Sequence, residues 1–189
     1  MAIDKATTNR PSSRGQPVEI LPKLWLGSLA SLKHLSNQES SSWTVISVLG
    51  SDKLVSMTNF MLQDAKHTKR CRRHIVWELE DKNNSIFFSG ELVGILRVID
   101  EALQQQNCDK ILVHCAMGVS RSVTICAAWI MTRQRRSLQE TMEIIRAVRP
   151  EAMPNMGFTA SLRALEASDF DIKKARKRLG QDEGSTGDL

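Results

Sequence analysis

The chain contains no tyrosine, and aromatic residues make up only 5% of its 189 positions. It lacks any run approaching the roughly 18 apolar residues of a membrane-crossing helix, so no transmembrane segment and no membrane partner are expected. The opening stretch, M-A-I-D-K-A-T-T-N-R, has no apolar signal-peptide core and no glycine at position 2 for myristoylation. A cytoplasmic location is the expectation, and the basic run K-K-A-R-K-R at 173–178 extends it to the nucleus. Cysteine is scarce. Cys71, Cys108, Cys115 and Cys126 form no C-x-x-C pair, so in a reducing compartment neither a disulfide framework nor a zinc cluster is expected, and C-R-R-H at 71–74 is half a metal site at best. There is no G-x-x-x-x-G-K-[ST], which excludes a nucleotide P-loop.

What is present is ordinary for a globular domain: 41% apolar residues, 25% charged, and a net charge of +5. That length and composition suffice for one core without staples. The positive charge gathers at 69–74, 133–136 and 173–178 and reads first as solvated surface, so no nucleic acid partner is expected. The boundaries expected are a disordered N-terminal tail over 1–16, a folded domain over 17–168 and a basic helical tail over 169–189.

Apolar periodicity supplies the elements. V-E-I-L and L-W-L-G-S within 18–28 predict a hairpin, with a helix following near 28–35. Strands are predicted at 43–49, 74–79 and 110–115, with a polar helical stretch near 53–65 after the first of them. The repeat of Leu92, Ile95, Leu96, Ile99 and Leu103 predicts a helix over about 89–107. Further helices are predicted over 121–134, from the capping box Ser137–Glu140 to Arg149-Pro150, over 156–168, and from 170 to Gly180. Strands interleaved with helices predict an α/β domain: a central, mostly parallel sheet flanked by helices.

The most informative stretch is H-C-A-M-G-V-S-R-S at 114–122. Cys115 ends an apolar strand and Arg121 opens a helix. The loop between them carries Gly118, which can take a φ other residues resist. Such a loop can turn its N–H groups inward as an anion nest, and the helix start adds unpaired N–H groups and partial positive charge. The Arg121 fork matches two phosphate oxygens, and the same field favours a thiolate at Cys115. A thiolate at the floor of a phosphate cradle is a nucleophile aimed at phosphorus.

This stretch resembles the signature of cysteine-dependent protein phosphatases, in particular the dual-specificity branch. L-W-L-G-S at 24–28 and R-P-E-A-M-P-N-M-G-F at 149–158 are similar to further segments of that family, and the likeness covers about 17–168. Met117 departs from it, standing where alanine is common. The resemblance implies a dual-specificity phosphatase-like fold and the following roles. Cys115 attacks the phosphate to form a phosphocysteine. Arg121 and the amides of Ala116, Met117, Gly118, Val119, Ser120 and Arg121 hold the equatorial oxygens. Ser122 assists departure of the sulfur, and His114 supports the loop. No metal or cofactor is implied.

A general acid is expected from W-E-L-E-D-K-N-N-S, where Glu78, Glu80 and Asp81 compete. Asp81 matches the family position and is preferred, though its spacing to Cys115 is a residue or two longer than expected. It would later act as base toward water. Tyrosine-specific members of the superfamily deepen the pocket with a tyrosine-bearing loop, and this chain has no tyrosine; the resemblance therefore implies a shallow pocket open to phosphotyrosine, phosphoserine and phosphothreonine alike. The expected partners are phosphorylated proteins, protein kinases among them. Two alternatives remain open: a catalytically weak phosphoprotein-binding module, and a lipid or nucleic-acid phosphatase of the same superfamily. Cys71 or Cys108 is a candidate to form a reversible disulfide with Cys115, and Cys126 is read as packing.

Overall fold

A computed structural model describes residues 15–35, 42–67, 70–84, 87, 90–104 and 110–180. A hairpin of β1 (Val18–Leu21) and β2 (Leu24–Ser28) leads into a 3₁₀ helix at Leu29–His34. Then come β3 (Trp43–Leu49), α1 (Asp52–Met61), α2 (Gln63–His67), β4 (Cys71–Glu78), α3 (Gly90–Gln104) and β5 (Lys110–Cys115). Four helices complete the described chain: α4 (Arg121–Gln134), α5 (Leu138–Val148), α6 (Met156–Ala167) and α7 (Ile172–Arg178).

The sheet order is β1-β2-β5-β3-β4. Among the described residues only the β1–β2 pair is antiparallel; β2, β5, β3 and β4 run parallel. The two central strands, K-I-L-V-H-C and W-T-V-I-S-V-L, are buried almost throughout, as expected of a parallel sheet covered on both faces. Successive side chains divide between those faces. Ile46, Val48, Ile111 and Val113 join the cluster that includes α3 to α6, while Val45 and Leu112 join Leu32, Leu35 and Leu62 on the other side. Helix α4 is buried over Arg121–Met131. With Ile125 and Ile130 each worth about 1.5–3 kcal/mol when fully buried, its start is held rigidly against the end of β5.

Three elements differ from the periodicity reading. Strand β4 begins at Cys71, three residues before the predicted start, because Arg72 and Arg73 are exposed on an edge strand where charge is tolerated. The helix after β2 is of the tighter 3₁₀ form. The polar helical stretch is two helices broken at Leu62. Packing also continues past 168: Ala175 of α7 is fully buried, and Phe170, Ile172 and Leu179 lie against the main core. The expected N-terminal tail lies outside the described residues except for Gly15 and Gln16, and the end of the expected C-terminal tail, 181–189, lies outside them too. No helix among the described residues is long and apolar enough to cross a membrane.

Candidate active site

Because β5 is central and parallel, its C-terminal end opens at the edge where a following helix begins, the usual ligand position in open α/β sheets. Cys115 is the last residue of β5, and Arg121 the first of α4. Five residues, Ala116 to Ser120, bridge them.

Their carbonyls all bond outward. Ala116 O accepts from Leu29 N–H at 3.2 Å, and Val119 O from Met153 N–H at 2.9 Å. Met117 O and Gly118 O accept from the Arg149 guanidinium, through Nη2 at 3.1 Å and Nε at 3.3 Å. Ser120 O accepts from Thr124 N–H at 2.9 Å and from its hydroxyl at 2.8 Å. Cys115 O faces His114 Nδ1 at 3.4 Å. In a planar trans peptide the C=O and the following N–H point opposite ways. With the carbonyls of 115–120 committed outward, the amides of 116–121 turn to the inner side, which is the geometry of an anion nest. One of them is seen arriving: Gly118 N–H donates to Cys115 Sγ at 3.2 Å. The Ser122 hydroxyl donates to the same sulfur at 3.2 Å.

Gly118 is needed for this turn. Its φ is +70°, and a Cβ there would stand 2.6 Å from Gly27 O and 2.7 Å from Arg149 Nη2. Arg149 is itself 1% exposed, with Nη1 on Gln16 O at 3.4 Å and Nε 3.4 Å from Glu151 Oε1. In the sequence it stands out only as a helix stop before Pro150 and as part of a family-like segment; its role as a clip under the loop depends on burial.

Asp81 lies on the loop. Its Oδ1 accepts from the Ser120 hydroxyl at 2.8 Å and from Asn155 Nδ2 at 2.7 Å, and its Oδ2 is 3.4 Å from Arg121 Nε. Glu80 instead pairs with Lys82 at 2.6 Å on the surface, and Glu78 is exposed on the edge strand. Of the three competing carboxylates, Asp81 is therefore the one in contact with the loop. Asn155, within the family-like segment at 149–158, serves two parts of the site: its Oδ1 caps Phe158 N–H at 2.9 Å while its Nδ2 donates to Asp81. Arg121 is nearly buried, and its Nη1 donates to Leu79 O at 3.4 Å. Its guanidinium and the Asp81 carboxylate thus face each other beside the nest.

His114 is buried, with Nε2 2.7 Å from Ser47 Oγ, which is 2.8 Å from His74 Nε2. Desolvation, opposed by the backbone bond to Cys115, pushes the His114 pKa down to about 4. Desolvation, aided by Lys66, does the same for His74. Burial and the neighbouring Cys115 push the Cys126 thiol far above its ordinary value, so it remains protonated packing. Strand register places Cys71 level with Lys110, at the opposite end of the sheet from Cys115. Five strand residues separate those levels, about 16 Å at about 3.3 Å each, too far for a disulfide. Cys108 lies outside the described residues. A groove of about 520 Å³ between α5 and α6 touches the loop region only through Met153 and Pro154. The exposed side chain of Met117 stands on the loop itself, where it borders the nest without entering the bonds that shape it.

Residues 29–168 match the family described as "Dual specificity phosphatase, catalytic domain". The chain is 32% identical, over 90% of its length, to human "Dual specificity protein phosphatase 9", of which it covers 40%. It is 32% identical over 77% of its length to "Dual specificity protein phosphatase 1" of Arabidopsis thaliana, covering 66% of that protein. The chain thus spans about two fifths of the human relative's length. Among solved structures, that of "DUSP15" superposes with a TM-score of 0.65 at 25% identity, covering 90% of this chain and 98% of that one.

Proposed function

The chain belongs to the dual-specificity phosphatase family, and from that premise we propose that it hydrolyses phosphotyrosine and phosphoserine or phosphothreonine on proteins through a phosphocysteine at Cys115. One observation carries the reading: the outward commitment of the carbonyls of 115–120, which leaves a ring of amides around the Cys115 sulfur.

A phosphate monoester enters with its equatorial oxygens on the amides of Ala116 to Arg121, and Arg121 turns from Asp81 to form a fork with two of them. The Cys115 sulfur bonds to phosphorus as the P–O bond breaks. The departing oxygen takes its proton from Asp81, which Asn155 and Ser120 hold at the rim. In the second half a water loses its proton to Asp81, bonds to phosphorus and displaces the thiolate. The Ser122 hydroxyl, 3.2 Å from the sulfur, stabilises the charge that returns there. His114 keeps the loop in register from beneath.

The test is hydrolysis of an aryl phosphate and of phosphopeptides by the wild type, Cys115→Ser and Asp81→Ala. Turnover should vanish in the first variant, and in the second it should fall most for poorly activated leaving groups. Wild-type protein that binds phosphopeptides without turning them over would overturn the enzymatic reading in favour of a binding module. Asp81→Ala behaving like wild type while Glu80→Ala lost activity would move the acid.

A further inference from the structure

Ser47, His74 and His114 come from three neighbouring strands, β3, β4 and β5. Their side chains form a row: His74 Nε2 to Ser47 Oγ at 2.8 Å, Ser47 Oγ to His114 Nε2 at 2.7 Å, His114 Nδ1 to Cys115 O at 3.4 Å. Donor and acceptor capacity allows this row one direction. A carbonyl only accepts, so His114 Nδ1 carries a hydrogen. Buried His114 is neutral at ordinary pH, so its Nε2 is bare and accepts from the Ser47 hydroxyl. That hydroxyl has a single hydrogen, now used, so its lone pair accepts from His74 Nε2–H. Each donation polarises the next bond. The last link aligns the Cys115 carbonyl, and peptide planarity then turns the Ala116 N–H to the opposite side, where the nest lies.

We propose that His74 is a positioning residue for the nucleophile loop: its Nε2–H, acting through Ser47 and His114, holds the Cys115 carbonyl and so aims the first amide of the phosphate nest. The other carbonyls of the nest are held by main-chain groups, by Arg149 or by Thr124. Only this one is held by a chain that ends on a half-buried residue of the edge strand, two strands from the sulfur. The inference builds on the reading of Cys115 as nucleophile, and it adds a remote control of that site's shape.

The test reads the nest without needing turnover. Alkylation of Cys115 by iodoacetate, an anion that must enter the nest, is followed by mass spectrometry of the Cys115 peptide, with and without inorganic phosphate as protectant. His74→Leu removes the donor at similar volume and should slow alkylation about three- to tenfold, the worth of one hydrogen bond, while raising the phosphate needed for protection by a similar factor. His74→Gln restores an amide donor at the same reach and should stay within about twofold of wild type. Ser47→Ala, which removes a single hydroxyl and keeps the Cβ, should match His74→Leu, and the double variant should be no slower than either single one. Wild-type rates in His74→Leu, equal slowing in His74→Gln, or additive slowing in the double variant would each overturn the proposal. Absence of aryl phosphate turnover in the wild type would instead sink the phosphatase reading, with these rates still readable.

Discussion

Replacing Arg149 by methionine keeps a long side chain under the loop and removes every donor. Arg149 is 1% exposed, and its guanidinium bonds Met117 O, Gly118 O and Gln16 O at 3.1, 3.3 and 3.4 Å, with Glu151 Oε1 3.4 Å from Nε. Without it the two loop carbonyls lose these donors. Glu151, whose side chain is 17% exposed, loses this counter-ion. Breaking a buried pair of this kind costs about 3–5 kcal/mol. A chain of this size loses about 2–4 °C per kcal/mol, so the thermal midpoint should fall by about 6–20 °C. Turnover, measured well below every midpoint, should fall about 10- to 100-fold, because the nest loses its shape. Arg149→Lys keeps the charge near Glu151, but an ammonium has no fork to span two carbonyls. It should recover much of the stability and little of the turnover. Arg149→Met combined with Glu151→Gln also neutralises the carboxylate that faced the guanidinium and should show the same split. The reasoning fails if Arg149→Met unfolds within about 2 °C of wild type, or if turnover simply follows stability across the three variants.

Gly118→Ala should lose about 2–5 kcal/mol in urea unfolding, since it adds left-handed strain and a Cβ 2.6 Å from the Gly27 carbonyl oxygen, and should lose turnover with it. Ser122→Ala removes the hydroxyl that donates to Cys115 Sγ at 3.2 Å and, on the proposed mechanism, should slow breakdown of the phosphocysteine about 10- to 100-fold. Rapid-quench kinetics should then show a burst of released alcohol followed by a slow steady state; a rate without a burst counts against that role. Both His114 and His74 have folded pKa values near 4, below the ordinary 6.5, so the folded state prefers them neutral. Their contribution to stability is full above about pH 6.5 and is lost as pH falls from there toward 4. For buried His114 the loss is about 3 kcal/mol. Thermal midpoints across this range should fall in the wild type and less in His74→Gln; equal slopes would contradict it.

The alternation and periodicity of apolar residues by themselves determined most of the elements, because a strand buried on both faces and an amphipathic helix each leave a pattern a few residues long. H-C-A-M-G-V-S-R-S likewise determined where the nest is and which residues form it, since a strand end, a glycine, a hydroxyl and an arginine at those offsets are local chemistry. Which of Glu78, Glu80 and Asp81 lies against the loop was not local. It rests on Asn155 and Ser120, 74 and 39 residues away in the chain, which reach Asp81 and neither glutamate. Arg149 looked like a helix stop, and its burial beneath the loop follows only from how α5 ends against β1 and the nest. The link between His74 and Cys115 exists only because three strands lie side by side, an adjacency that no spacing along the chain encodes. Local pattern specifies the groups that do chemistry; the packing of distant segments decides which polar neighbours hold them in place.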